Sequence, residues 1–168
     1  MLHYDIIPTP IGKLLLLSGA KGLKKILFEG QFELEDISND WQSNSSKLEE
    51  VKSQLLDYFD NKLIKFNLKL DPDGTVFQKQ IWKQLEKIPF GELRSYQDIA
   101  NAINKPNACR AVGIANSKNP IPIVIPCHRV IGKNGKLTGY AGGLENKAKL
   151  LKLEGTDQDN ISQQLQLF

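Results

Sequence analysis

The chain has 168 residues, 40% of them apolar and 24% charged, which is ordinary for a globular protein with a buried core. No run approaches the ~18 apolar residues of a membrane span, and the N-terminus lacks a signal-peptide pattern, so we expect a cytoplasmic protein without a membrane partner. Two cysteines, Cys109 and Cys127, provide no disulfide framework, and the Cys and His residues lack zinc-site spacing. We therefore expect no metal and no other cofactor.

The formal net charge of +3 is unevenly distributed along the chain. Residues 1–75 carry nine Lys and twelve acidic residues, net −3, whereas residues 76–168 carry thirteen Lys or Arg and seven acidic residues, net +6. A basic half of this kind favours a polyanionic partner over a neutral metabolite. On charge alone, a Lys-rich solvated surface without such a partner explains the excess equally well.

Short apolar runs separated by Pro and Gly open the chain. They predict antiparallel strands, with a hairpin, over residues 4–7, 13–17 and 23–28. The polar residues 31–45 that follow are interpreted as a loop. Alternating apolar residues predict one more strand over 62–70, with Ile64, Phe66, Leu68 and Leu70 on one face.

An amphipathic helix is predicted between that loop and that last strand. Residues 46–49, Ser-Lys-Leu-Glu, have the spacing of a capping box. The apolar positions that follow at helical intervals are Leu48, Val51, Leu55, Tyr58 and Phe59. The turn Asp-Pro-Asp-Gly at 71–74 lies where the charge changes sign, so we expect two domains, 1–74 and 75–168.

The second half is predicted to be mostly helical. One helix is expected over 76–87, with Phe77, Ile81, Trp82 and Leu85 on its apolar face. A second begins at a capping box formed by Ser95 and Asp98 and ends before Pro106, and Asn107 is expected to cap a third over 108–117. Two short helices joined this tightly suggest a helix-turn-helix at about 95–117, although an ordinary helical corner has the same pattern.

The second helix of that pair has almost no side chains that could reach base edges. Small residues surround a single Arg110, which suits close approach to a nucleic-acid backbone better than sequence readout. A tightly packed core helix would have the same composition.

Cys127 and His128 form a candidate nucleophile and base. The thiolate is the attacking species, and a free thiol with a pKa near ~8.5 needs a base or a cation to ionise at neutral pH. His128 and Arg129 could each provide that help. Taken alone, a Cys-His dipeptide is also compatible with an inert, buried cysteine.

Four segments together closely resemble the O6-alkylguanine-DNA alkyltransferases. They are GELRSY at 91–96, ACRAVG at 108–113, NPIPIVIPCHRV at 119–130 and GYAGGL at 139–144. The resemblance covers about 75–155 and is weaker over 1–74, where it rests on PIGKL at 10–14. It implies an α+β protein, in which a ribonuclease-H-like α/β domain of antiparallel strands plus helix precedes a mostly helical helix-turn-helix catalytic domain.

The resemblance implies direct DNA repair by one protein molecule per lesion. Cys127 would accept the alkyl group from O6-alkylguanine, and from O4-alkylthymine, in DNA. His128 would deprotonate the thiol through a water molecule, and Glu154, in a C-terminal helix that begins near Glu145, would orient His128. Asn119 would support the turn that carries the nucleophile.

The resemblance also implies a DNA surface and a substrate pocket. Tyr96 would push on the phosphate and donate a hydrogen bond to the flipped guanine, and Arg110 would fill the gap in the base stack. The remaining implied DNA-binding residues are Ser95, Ala108, Cys109 and Gly113, and the implied pocket residues are Pro122, Tyr140, Ala141 and Gly142. The partner would be double-stranded DNA, which a monomer would bind in the minor groove with little sequence specificity. Cooperative binding along the DNA is an alternative. The protein would act in the nucleoid, or in the nucleus of a eukaryote.

The chain departs from the family pattern at two positions and at its end. Cys109 stands where a small aliphatic residue is common, and Ala141 replaces a frequent Ser. The zinc site of some eukaryotic members has no counterpart. Residues 156–168 lie outside the resemblance and are interpreted as a flexible or partly helical tail.

Three other functions compete with alkyl transfer. A non-catalytic alkyltransferase-like protein would bind lesions but lacks the acceptor cysteine. A helix-turn-helix regulator would need side chains that read bases. A thiol hydrolase would use the same residue types and turn over repeatedly.

Overall fold

The computed structural model describes residues 1–43 and 45–156, so most of the predicted tail, 157–168, lies outside the described residues. The chain forms two compact units, Met1–Asp73 and Gly74–Phe168. Among the described residues, no helix is long and apolar enough to cross a membrane.

The first unit is built on a four-stranded mixed sheet in the order β3-β2-β1-β4. Strands β1 (Leu2–Ile7), β2 (Leu14–Ser18) and β3 (Leu23–Phe28) pair in antiparallel fashion, as predicted. Residues 14–17 of β2 are all buried, because β2 lies inside the sheet and both of its faces are covered.

The loop predicted at 31–45 is wrong in part. It contains a 3₁₀ turn, Leu34–Asp36, and a strand, β4 (Trp41–Ser43), that pairs in parallel with β1. Its Trp41 ring packs near the Tyr4 ring, with centroids 6.5 Å apart. A three-residue edge strand in a polar segment is too short to produce a periodic pattern.

Helix α1 (Glu49–Phe59) confirms the predicted amphipathic helix, since Val51, Leu55 and Tyr58 are buried. Helix α1 does not begin at the predicted capping box, 46–49. A 3₁₀ turn, Ser45–Leu48, takes up that segment, and the N-cap residue Leu48 makes no side-chain capping bond.

The strand predicted at 62–70 is also wrong, because its backbone groups bond elsewhere. The Gln54 side chain of α1 accepts a hydrogen bond from Asn67 N at 2.9 Å and donates one to Asn67 O at 3.0 Å. Only Leu70 forms a bridge, with Leu23. Ile64, which was assigned to the apolar face of this strand, is 68% exposed.

The second unit is mostly helical, as predicted. Helix α2 (Val76–Glu86) buries Ile81, Trp82 and Leu85. Helix α3 (Tyr96–Ala102) begins at the predicted box, where Ser95 N donates to the Asp98 carboxylate at 2.8 Å and Asp98 N donates to Ser95 Oγ at 3.0 Å.

The second helix of the predicted pair is α4 (Cys109–Ser117). Its N-cap residue is Ala108, without a side-chain capping bond, so the predicted cap at Asn107 is wrong. A short parallel pair, β5 (Arg94–Ser95) and β6 (Val130–Ile131), joins the start of α3 to the segment after the candidate nucleophile. Helix α5 (Leu144–Leu153) is the last helix of the described residues. Glu154 was expected within this helix, and it is the C-cap residue directly after it.

Candidate active site

The chain around Cys127 forms a buried turn held by one amide side chain. Asn119 Nδ2 donates to Ile125 O at 2.8 Å, and Asn119 Oδ1 accepts from Ile121 N at 3.0 Å. Residues 121–130 are all buried. Ile123 has φ +74°, a left-handed conformation that costs a β-branched residue about 1–3 kcal/mol. Asn119 therefore fixes a strained turn directly before the nucleophile.

Cys127 opens a 3₁₀ turn, Cys127–Arg129, and is almost completely buried. Burial raises the pKa of its thiol to about 11, although a hydrogen bond from Asn119 and the positive charge of Lys147 act in the opposite direction. The resting thiol is therefore protonated at neutral pH. Nucleophilic attack needs a base that removes this proton.

His128 and Glu154 form a buried pair. His128 Nε2 lies 2.7 Å from Glu154 Oε2, and both side chains are fully buried. Because a carboxylate accepts, we assign the proton of the neutral imidazole to Nε2, which leaves Nδ1 as an acceptor. Among the described residues, His128 Nδ1 has no hydrogen-bond partner.

Arg129 anchors the same carboxylate. Its Nε donates to Glu154 Oε1 at 2.8 Å, one terminal nitrogen donates to Glu154 Oε2 at 3.0 Å, and the other donates to Ile88 O at 2.6 Å. Burial would raise the pKa of Glu154, but His128 and Arg129 together hold it well below its usual range. Arg129 thus fixes the orienting carboxylate and is not a direct partner of the thiolate.

Burial lowers the pKa of His128, and the nearby Glu154 opposes this shift. His128 is therefore a neutral imidazole at pH 7, the form that can accept a proton. Cys127, His128 and Glu154 have the nucleophile, base and orienter types of a hydrolase triad.

Tyr96, the first residue of α3, is half-buried and hydrogen-bonded. Its hydroxyl lies 2.9 Å from Thr138 Oγ1. The pKa of Tyr96 is raised, chiefly by burial, with smaller contributions from Cys127 and Cys109. A Cβ atom placed on Gly113 of α4 would lie 3.8 Å from the Tyr96 ring, which is an ordinary van der Waals distance, so this part of α4 faces the ring.

The other predicted DNA-binding residues lie along α3 and α4. Arg110 is exposed, Ala108 and Cys109 are half-buried, and the Ser95 hydroxyl caps α3. Among the predicted pocket residues, Pro122 is buried in the nucleophile turn, whereas Tyr140, Ala141 and Gly142 lie in the loop before α5. Gly142 O accepts a hydrogen bond from Asn146 Nδ2 at 2.9 Å, which ties this loop to α5.

Two buried polar residues of the site were not anticipated. Asn116 of α4 lies with its Nδ2 3.5 Å from Cys127 O. Lys147 of α5 is completely buried and donates from Nζ to Val130 O at 2.6 Å and to Thr138 O at 2.8 Å. The sequence could have indicated that Lys147 is buried. It lies three residues after Leu144 and four before Leu151, on the apolar stripe of its helix.

Known proteins match both units of the chain. A family model described as "6-O-methylguanine DNA methyltransferase, DNA binding domain" matches residues 76–156, and one described as "6-O-methylguanine DNA methyltransferase, ribonuclease-like domain" matches residues 2–72. A methylated-DNA--protein-cysteine methyltransferase from Methanosarcina barkeri is 55% identical over 154 residues, which cover 91% of this chain and 97% of that protein. The chain belongs to the 6-O-methylguanine DNA methyltransferase family.

Solved structures of family members share the fold. An O6-methylguanine methyltransferase from Mycobacterium tuberculosis has a TM-score of 0.84 at 45% identity, covering 92% of this chain and 93% of that one. The Mycobacterium tuberculosis OGT in complex with DNA has a TM-score of 0.82 at 44% identity, covering 91% and 93%. The α+β fold predicted from the resemblance is therefore confirmed, and so is the family.

Among residues 1–43 and 45–156, no group of three or more His, Cys, Asp or Glu side chains could hold a metal ion. The parts played by the individual site residues remain predictions.

Proposed function

We propose that this protein repairs DNA by transferring the methyl group of O6-methylguanine to Sγ of Cys127. The observation that carries the proposal is the buried cysteine followed by a histidine whose Nε2 is held by Glu154 and whose Nδ1 is left as an acceptor. Relatives with 55% and 53% identity are named methylated-DNA--protein-cysteine methyltransferases.

The chemistry requires one proton transfer and one displacement. His128 Nδ1 takes the thiol proton of Cys127, through a bridging water, while Glu154 stabilises the imidazolium that forms. The thiolate then attacks the methyl carbon, so an S–C bond forms as the C–O6 bond breaks. The electron pair of the broken bond stays on the guanine, which takes up one proton.

The product explains why each molecule would act once. A thioether has no carbonyl to which water can add, unlike the thioester of a cysteine hydrolase. Larger alkyl groups, and the methyl group of O4-methylthymine, fit the same displacement.

DNA binding is assigned to α3 and α4. The relative solved with DNA supports this, as do the net positive charge of the second half and the exposed Arg110 on a helix of small residues. We propose that a monomer binds double-stranded DNA through the minor groove with little sequence preference. Extruding the base costs a few kcal/mol, and Arg110 and Tyr96 are proposed to offset that cost by filling the stack and pressing on the backbone.

The transfer is tested with a duplex that carries one O6-methylguanine with an isotope-labelled methyl group. We expect the label in the tryptic peptide 119–129, which contains Cys127, and unmodified guanine in the DNA. Cys109 lies in a different tryptic peptide, 95–110, and should remain unlabelled. Binding without transfer would instead support an alkyltransferase-like lesion binder, and label on Cys109 would refute the assignment of the acceptor.

A further inference from the structure

Lys147 is a buried cation in the second unit. Its side chain is completely buried on the apolar stripe of α5, beside Ala148 and Leu151. Among the described residues it forms no salt bridge with a carboxylate. Burial lowers its pKa to about 8, so the ammonium is still mostly protonated at pH 7.

Stability alone does not account for a lysine at this position. A buried charge carries a large desolvation cost, and replacing buried ionic groups with apolar side chains of similar volume is often neutral or stabilising. A methionine at 147 would continue the apolar stripe. The positions of the two carbonyl groups that Lys147 contacts point to another role.

The two carbonyl groups belong to two different parts of the site. Val130 directly follows the 3₁₀ turn that carries Cys127, and Val130 O accepts from Lys147 Nζ at 2.6 Å. Thr138 lies in the loop 132–143 before α5, and Thr138 O accepts from the same nitrogen at 2.8 Å. One ammonium group therefore joins the nucleophile segment to this loop.

Thr138 extends the connection to α3. While its carbonyl is held by Lys147, its hydroxyl lies 2.9 Å from the Tyr96 hydroxyl. Either hydroxyl can be the donor, and in both cases the hydrogen bond restricts where the Tyr96 proton and lone pairs point. The chain of contacts runs from Val130 through Lys147 and Thr138 to Tyr96.

We propose that Lys147 is a positioning residue, which fixes the loop 132–143 against the nucleophile segment and, through Thr138, orients the Tyr96 hydroxyl for methyl transfer. The proposal rests on the proposed function, because the orientation of Tyr96 matters only when a base enters beside Cys127. The proposal predicts that Lys147 acts on Tyr96 through Thr138.

The test measures the first-order rate of methyl transfer at saturating methylated duplex for Lys147→Met, Thr138→Val and the double variant. Thr138→Val keeps the shape and the carbonyl but loses one neutral hydrogen bond, so we expect the rate to fall about three- to tenfold. Lys147→Met loses two charge-assisted bonds, so we expect about a ten- to hundredfold fall. The double variant should be no slower than Lys147→Met.

Lys149→Met is the matched control. It makes the same chemical change on the same helix, but Lys149 is 45% exposed and pairs with Glu145 on the surface. Its rate at saturating duplex should stay within about twofold of the wild type. If the losses caused by Lys147→Met and Thr138→Val multiply in the double variant, the two residues act independently and the proposal is overturned.

Hydrogen exchange supplies a readout that does not depend on transfer. The loop amides that make backbone hydrogen bonds include those of Gly132, Gly135 and Gly143. Their exchange should become faster in Lys147→Met and stay unchanged in Lys149→Met.

If the wild type transfers no methyl, the proposed function fails, but hydrogen exchange still tests the contact between Lys147 and the loop. If Lys147→Met does not fold, Thr138→Val decides, and a wild-type rate in that variant overturns the proposal.

Discussion

Cys127→Ser is expected to abolish methyl transfer while leaving DNA affinity nearly unchanged. A serine hydroxyl is nearly isosteric with the thiol but is a far poorer nucleophile, so the transfer rate should fall by at least about a thousandfold. The side chain is buried and contributes no charge to the DNA surface, so binding to a methylated duplex should persist. The measurement pairs a single-turnover transfer assay with a binding titration of the same duplex.

Cys109→Ser is the matched control, because it makes the same exchange at the second cysteine. Cys109 is the first residue of α4 and is only half-buried. At saturating duplex, where DNA binding does not limit the rate, this variant should transfer methyl at nearly the wild-type rate. Transfer that survives Cys127→Ser and disappears in Cys109→Ser would mean that the acceptor has been assigned to the wrong residue.

Glu154→Gln is expected to weaken both the fold and the reaction. The carboxylate accepts from His128 and from two nitrogens of Arg129, all within 3.0 Å, and an amide of the same shape places an NH₂ group against these donors. Leaving a buried cation uncompensated costs about 3–5 kcal/mol of unfolding free energy. Loss of the orienting group should slow transfer by about two to four orders of magnitude.

The difference in unfolding free energy between the wild type and Glu154→Gln should depend on pH. The pKa of Glu154 in the folded protein lies below its unfolded value of about 4.3, so its contribution is fully present above that value. As the pH falls towards the folded pKa, the carboxylate is protonated and the contribution is lost. The gap in unfolding free energy between wild type and Glu154→Gln should therefore be widest near neutral pH and narrow in acid.

Glu145→Gln provides the comparison for Glu154→Gln. Glu145 is 58% exposed and pairs with Lys149 at 3.2 Å, one turn along α5. A surface pair of this type contributes about 0.3–0.5 kcal/mol, so this variant should unfold close to the wild type. If the two variants have equal unfolding free energies and equal transfer rates, Glu154 is not the orienting carboxylate.

Local patterns predicted most of the helices and strands. The first three strands were predicted because short apolar runs are separated by Pro and Gly, and helices α1, α2 and α3 because apolar residues repeat at helical intervals. Residues 62–70 alternate between apolar and polar residues but form no strand. The Gln54 side chain, thirteen residues away from Asn67, takes the backbone groups that a neighbouring strand would need, and no local pattern reveals that contact.

The site was predictable to the extent that its residues adjoin one another in the chain. The Cys127-His128 pair was visible in the sequence, whereas the contact with Glu154, 26 residues from His128, was expected only from the family resemblance. Arg129 was one of two candidates to assist ionisation of the thiol, and its guanidinium group binds Glu154. Lys147 was missed because a lysine usually lies at the surface, and its place on an apolar stripe was the available signal.

The most direct test of the central claim is the number of methyl groups that one protein molecule can accept. The protein is incubated with a large excess of duplex containing labelled O6-methylguanine until transfer stops, and the label per chain is measured by intact-mass spectrometry. A buried thiolate that forms a thioether predicts a plateau of about one methyl group per chain, located on Cys127. Continued linear release of repaired DNA beyond one equivalent would contradict this account and would support a hydrolase-like mechanism.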